Sequence, residues 1–218
     1  MTESFRPEEL GPGGAYHFLN SVIGPRPIAW VSTIAPDGTF NIAPHSYTTV
    51  VSPSPPMVAF VSVGRKDSLR NVEESGEFVY NIGNASLLER INRTAADFPR
   101  SVSEFDWAGL TPVPSELVKP PRVGEAPVAM EATVVDIYRV KGTENVMVIG
   151  QVRLIHLDPS ITVDGRVDAT RLDPVGRLAG SEYARLGEVF SLERPTYRGL
   201  LASGDGPMPS AGEDDDPR

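Results

Sequence analysis

Three histidines, His17, His45 and His156, and no cysteine make up the soft-ligand inventory of this 218-residue chain. Without cysteine there are no disulfides, thiolate-bound zinc, iron–sulfur clusters or thiol nucleophiles. The histidines form no pair at i,i+4 and no cluster at metal-ligand spacing. A GxSxG elbow, a Walker A loop and a GxGxxG fingerprint are all missing. GPGG at 11–14 follows no strand and reads as a loose turn. What remains is a set of hydroxyls and one basic turn. Ser32 and Thr33 close an apolar strand, while Ser46, Thr48 and Ser52 fall at even spacing and so share one strand face. That face is either a solvated side or a hydrogen-bonding wall for a planar ligand rich in acceptors.

The segment SVGRKDSLRN (62–71) is the more pointed feature. A strand ends at Ser62–Val63, Gly64 permits a sharp turn, and a helix starts near Ser68. Lys66 and Ser68 flank that start, where free N–H groups and the positive end of the helix dipole suit a phosphate. The alternative is that Asp67 or Ser68 caps the helix. Around this turn Arg65, Lys66 and Arg70 outweigh Asp67.

The elements that must position these groups read as strands and turns. PIAWVSTI (27–34) is an apolar run ended by PDG at 36–38, with a second strand through 39–42. Further strands are expected at 45–51, 57–63 and 77–82, with a short helix over 68–75. Ser86 with Glu89 reads as a capping box for a second helix. Two long alternating strands follow at 127–140 and 145–157, joined by KGTE (141–144), with another turn at 163–167. In the second of them Val146, Val148, Gly150 and Val152 share a face. Long crossover helices are absent, so an antiparallel barrel with short helices is expected rather than a parallel sheet.

Composition agrees. Glycine and proline number 20 and 21, which marks many turns, and 20 basic against 29 acidic residues give a net charge of −9. An acidic chain lacks the footprint of a nucleic-acid partner. The start carries no apolar signal region, and no stretch of 18 uncharged apolar residues suggests a membrane span, so a cytoplasmic protein is expected. Residues 1–14 read as a flexible arm and 15–202 as the folded domain. The stretch 203–218 reads as a disordered acidic tail holding −4 of the net charge.

Several motifs taken in order resemble the flavin reductase-like, FMN-binding split-barrel family. They are RPIAWVSTIAPDGTFNIAPHSY (26–47), VSPSPP (51–56) and GRKDSLRNVEESGEFVYNI (64–82). AGLTPVPSELVKPPRVGEAPVAMEA (108–132), GQVRLIHLDPSI (150–161) and GRVDATRLDPVGRLAGSEYARLGEVFSLERP (165–195) complete the set. The flavoredoxin-like branch is the nearest in pattern, through RPIA and an RLxGxxY element.

The resemblance implies a mainly β fold: a six-stranded antiparallel split barrel of Greek-key character with a few short helices. It implies an FMN per subunit and a homodimer, for which the apolar stretch at 188–192 would serve as an interface. The implied activity is an NAD(P)H:flavin oxidoreductase, with NADH or NADPH as transient hydride donor and a monooxygenase as possible recipient. A flavoredoxin-type electron carrier without pyridine-nucleotide oxidation is the alternative. Carried over by position, Asn41, Ala43, Pro44, His45, Ser46 and Thr48 would line the flavin ring and ribityl chain, with Ser32 and Thr33 at the ring edge. Ser62, Val63, Gly64, Lys66, Asp67 and Ser68 would hold the phosphate. Relatives carry Thr at the Ser68 position and often Phe or Tyr at that of His45, so His45 is expected chiefly to fill an aromatic slot. Arg177 and Tyr183, from RLxGxxY, would reach the flavin or the nicotinamide. His156 reads as a satisfied strand histidine. Because hydride chemistry belongs to the flavin, no side chain is expected to act as a catalytic acid or base.

Overall fold

The computed structural model describes residues 2–203, so most of the tail expected at 203–218 lies outside the described residues. The chain divides into two units, residues 1–187 and 188–218. In the first, helix α1 (Gly14–Val22) precedes strands β1 (Ala29–Ile34), β2 (Phe40–His45), β3 (Thr48–Pro53) and β4 (Pro56–Val63). Helix α2 (Asp67–Ser75), β5 (Glu77–Ile82), α3 (Leu88–Arg93) and α4 (Glu104–Ala108) follow. Then come β6 (Pro112–Val113), β7 (Arg122–Val123), β8 (Val128–Arg139) and β9 (Asn145–Leu157). Two short hairpins, β10 (Thr162–Val163) with β11 (Arg166–Val167) and β12 (Val175–Arg177) with β13 (Tyr183–Arg185), bracket α5 (Ala169–Leu172). The second unit, within the described residues, contributes helix α6 (Tyr197–Ser203). No described helix is long and apolar enough to cross a membrane.

Seven strands form one antiparallel sheet in the order β2-β1-β5-β8-β9-β4-β3. The mainly β, antiparallel split-barrel expectation holds, with seven strands in the sheet where six were expected. Strands β2 and β3 stand at opposite edges, yet just Ser46 and Tyr47 separate them in the chain. A two-residue link spans under about 10 Å, so the sheet must curl until its edges meet at that corner. The Val61 N–H donates to the Tyr47 carbonyl at 2.8 Å and ties the corner to β4.

Strand β1 is buried on both faces, which is why its sequence is a continuous apolar run rather than an alternation. Val31 packs inside the curl with Phe60, Phe78 and Val148, and Leu69 and Val72 of α2 plug the same core. Trp30 and Ile42 face a second core with Ile91 and Phe105 from α3 and α4. Each fully buried side chain of this size contributes roughly 1.5–3 kcal/mol. Strand β9 buries Val146, Val148, Gly150 and Val152 in strict alternation. Gly150 is required there, because a Cβ would stand 2.4 Å from the Phe78 ring. Strand β8 breaks its alternation at bulges between Glu131 and Ala132 and between Val134 and Asp136.

Local expectations shift in two places. Ser86 does not cap a helix: its hydroxyl donates to Asn84 Oδ1 at 2.6 Å within a 3-10 turn, and α3 begins at Leu88. His45 ends β2 instead of opening β3, so Ser46 lies in the corner. A register shift between Val50 and Ser52 further separates Thr48 from Ser52. The shared hydroxyl face across 46–52 therefore does not form.

Candidate functional site

The corner where the sheet edges meet opens into a cavity of about 510 Å³. Asn41, Ala43, Pro44 and His45 of β2 line it, with Ser46 and Tyr47 of the corner and Val61–Val63 of β4. Arg65, Lys66, Asp67, Ser68 and Arg70 form the wall at the start of α2. Tyr16 of α1, the loop Thr94–Phe98 and Glu104 of α4 complete it. The chain folds this way locally because Gly64 takes a positive φ of 76° between β4 and α2. The Ser62 hydroxyl locks that turn by donating to the Gly64 carbonyl at 2.7 Å.

Helix α2 starts without a side-chain cap: Lys66 occupies the capping position in extended conformation, and neither Asp67 nor Ser68 caps. The first-turn N–H groups of Asp67, Ser68 and Leu69 thus stand free of a side-chain acceptor at the positive end of the helix. The three cations beside them each hold a carboxylate, exposed at Asp97 and partly buried at Glu73 and Asp67. Arg65 pairs with Glu73 at 3.0 Å, Lys66 with Asp97 at 3.0 Å and Arg70 with Asp67 at 3.7 Å. The Lys66–Asp97 pair, exposed on both sides, is worth about 0–1 kcal/mol, so an incoming dianion can displace it. The buried Nε of Arg70 finds no hydrogen-bond partner among the described residues.

The Ser68 hydroxyl is committed inward. It donates to Asn41 Oδ1 at 3.0 Å, as does Thr33 Oγ1 at 3.1 Å, and Asn71 Nδ2 donates to Thr33 Oγ1 at 2.9 Å. Asn41 Nδ2 donates in turn to Glu104 Oε1 at 2.9 Å, and the Ile42 N–H donates to Glu104 Oε2 at 3.0 Å. Two hydroxyl donors on one side and a carboxylate on the other fix which way the Asn41 amide faces. Burial raises the Glu104 carboxyl above its ordinary range, although the Ile42 N–H and the Asn41 amide oppose that shift.

His45 is half-wedged between β2 and β4. Its ring lies 4.6 Å from that of Phe60, and its Nδ1 lies 3.2 Å from the Val61 carbonyl. Burial lowers its pKa from 6.5 to about 4; the Val61 carbonyl pulls it back up and the nearby Lys66 charge pushes it down. The ring is neutral at pH 7. Since a carbonyl can only accept, the single ring proton sits on Nδ1. Nε2 is buried and has no partner among the described residues.

Some expected residues stand outside the cavity lining. Ser32 Oγ donates to the Pro121 carbonyl at 2.5 Å and accepts from Asn81 Nδ2 at 3.1 Å. Thr33 belongs to the network beneath Asn41, and Gly64 acts through its turn. Thr48 Oγ1 donates to the Ala59 carbonyl at 2.6 Å and meets Tyr80 OH at 2.8 Å. Arg177 and Tyr183 meet each other across the β12–β13 hairpin, the guanidinium 4.5 Å from the ring centroid, and Tyr183 OH donates to Asn92 Oδ1 at 3.1 Å. The Arg177 backbone bridges to Arg26, whose buried guanidinium donates to the Asn20 carbonyl at 2.9 Å and the Leu178 carbonyl at 2.9 Å. His156 Nε2 lies 2.7 Å from Glu131, which also accepts from the Glu116 and Leu117 N–H groups, a satisfied strand histidine as expected.

Sequence reasoning missed Tyr16, Arg70 and Glu104 as cavity residues, along with the loop Thr94–Phe98. Arg70 had a signal, one helical turn past Lys66. The loop owes its place to Trp30, whose indole N–H donates to Thr94 Oγ1 at 2.8 Å from the second core.

A curled antiparallel sheet with a basic, uncapped helix start at its split defines a split-barrel class of ligand-binding protein. The flavin reductase-like domain family matches residues 23–169, and the chain belongs to that family. It is similar to component B of nitrilotriacetate monooxygenase from Bacillus cereus, with 38% identity, TM-score 0.84, and 88% of this chain against 99% of that one. It also resembles the 2-nitrobenzoate 2-nitroreductase of Pseudomonas fluorescens, with 28% identity and TM-score 0.81 over 96% and 100% of the chains. The flavoredoxin of Desulfovibrio vulgaris aligns at 27% identity and TM-score 0.69 over 77% and 90%.

Proposed function

We propose that this protein binds FMN in the corner cavity and works as an NADH- or NADPH-dependent flavin reductase. It acts as a cytoplasmic homodimer and delivers reduced flavin or electrons to a partner monooxygenase. The observation that carries this reading is the pairing of a 510 Å³ cavity with the uncapped start of α2. Its volume falls within the roughly 300–1,000 Å³ usual for cofactor sites. The unpartnered Nε of Arg70 at the same wall is a donor without an acceptor, and a phosphate is an acceptor of the right charge.

In this reading the first-turn N–H groups of α2 hold the phosphate, with Arg65, Lys66 and Arg70 supplying charge. Ser68 contributes its backbone and keeps its hydroxyl on Asn41. Ala43–Ser46 and Ser62–Val63 line the ribityl chain and ring, and the Asn41–Glu104 pair stiffens the floor beneath them. FMN held there would supply two-electron redox chemistry between a nicotinamide donor and an electron acceptor. Membership of the flavin reductase-like family and likeness to a monooxygenase component B support the assignment.

Fluorescence titration with FMN, followed by stopped-flow oxidation of NADH and of NADPH, tests it. Saturable FMN binding with pyridine-nucleotide oxidation is the expected result. Tight FMN without oxidation of either nucleotide replaces the reductase by an electron carrier, and failure to bind FMN overturns the assignment.

A further inference from the structure

Among the polar atoms that line the cavity, His45 Nε2 stands out: it is buried, and no described donor reaches it. An imidazole in this position has few choices. Its Nδ1 faces a carbonyl, the Val61 oxygen at 3.2 Å, which accepts and never donates. The proton of the neutral ring is therefore held on Nδ1, and Nε2 is left with a lone pair and no hydrogen to give. The contact with Phe60, at 4.6 Å between ring centres, stops the ring from turning to hide that lone pair. A buried acceptor left empty is costly, and native folds rarely keep one unless something fills it.

The filling group must be a donor. Lys66, the nearest cation by its effect on the ring, is bound to Asp97 at 3.0 Å. Ser46, Ser62 and Ser68 share the cavity. Of these, the Ser62 and Ser68 hydroxyls are already donated elsewhere. We propose that His45 is the cavity's fixed hydrogen-bond acceptor, its Nε2 taking an N–H or O–H donor of the bound flavin, the ring N3–H or a ribityl hydroxyl. This rests on FMN occupying the cavity. It assigns His45 a recognition role beyond filling an aromatic slot: the residue selects for a ligand that donates at that point and disfavours one that presents an acceptor there.

The test combines ¹⁵N-histidine NMR with FMN titration of the wild type, His45→Phe and His45→Gln. Phenylalanine keeps the ring against Phe60 and removes the acceptor. Glutamine restores an acceptor at a similar reach. Without ligand, the wild type at pH 6–8 should show the Nδ1–H tautomer, and FMN should shift the Nε2 resonance. His45→Phe should raise the FMN Kd by about tenfold, and His45→Gln should recover most of the loss, with all three proteins folded throughout the titration. Lumiflavin, which keeps N3–H and lacks the ribityl hydroxyls, identifies the donor: a retained His45→Phe penalty assigns N3–H, and a vanished one assigns a hydroxyl. A proton on Nε2, or His45→Phe binding FMN as tightly as the wild type, overturns the proposal alone. Equal weakness of both variants reduces His45 to packing and also overturns it. A wild type that binds no FMN overturns the flavin reading, and this proposal with it.

Discussion

Asn41 on β2 and Glu104 on α4, 63 residues apart in sequence, meet at 2.9 Å beneath the cavity, amide N–H to buried carboxylate. Through Asn41 the same pair reaches Ser68 in the first turn of α2. One carboxylate thus ties the sheet edge, a distant helix and the proposed phosphate-binding turn into one rigid floor.

Glu104→Ala should expose that dependence. It strands the Asn41 amide and the Ile42 N–H, each buried donor costing about 1–3 kcal/mol. Urea unfolding at pH 7 should show a loss of that order. The carboxyl is also raised in the folded state above its ordinary 4.5, so the native form binds the proton more readily than the unfolded chain. Its contribution is therefore greatest in acid and declines as pH climbs from 4.5 through the raised value. That decline should be missing from Glu104→Ala.

His45 carries the opposite sign. Its folded pKa of about 4 lies below the ordinary 6.5, so the unfolded chain takes up the proton first. Stability should fall by roughly 3 kcal/mol as pH drops from 6.5 to 4. His45→Phe should lack that component of the slope. Parallel wild-type and variant profiles across this window would rule out the buried neutral imidazole.

A Lys66→Ala, Arg70→Ala double variant should weaken FMN by roughly ten- to a hundredfold, the scale of one charged hydrogen bond. Riboflavin, which has no phosphate, should bind wild type and variant equally. An equal loss for both ligands would move the phosphate away from α2.

Gly150→Ala should destabilise the barrel without touching the cavity. The added Cβ would stand 2.4 Å from the fully buried Phe78 ring. Overpacking of this kind costs about 1–3 kcal/mol, visible as a lowered melting temperature. FMN affinity, measured below that melting temperature, should be unchanged.

The residues legible from sequence are those whose role is local. The β1 run, the PDG turn and the alternation of Val146, Val148 and Val152 follow from side-chain period and turn chemistry. Gly64 before α2 is legible for the same reason. Ser32 and Thr33 looked alike in sequence to Ser46 and Ser62. Burial on both faces of β1 turned the first two hydroxyls into internal donors, and the corner left Ser46 facing the cavity. Glu104 carried no local mark that set it apart from a surface charge, whereas Arg70 was marked by its place one helical turn past Lys66.

The sequence alone determined the strands, the turns, the basic start of α2 and the ordered motifs of the family, because each depends on neighbours a few residues away. The tertiary structure decided what those pieces face. Two residues join the opposite edges of a seven-stranded sheet, and the closure they force brings β2, β4, α2 and α4 to one corner. Which hydroxyl is spent inside and which nitrogen is left unpaired depends on contacts between residues dozens of positions apart, and no spacing along the chain encodes them.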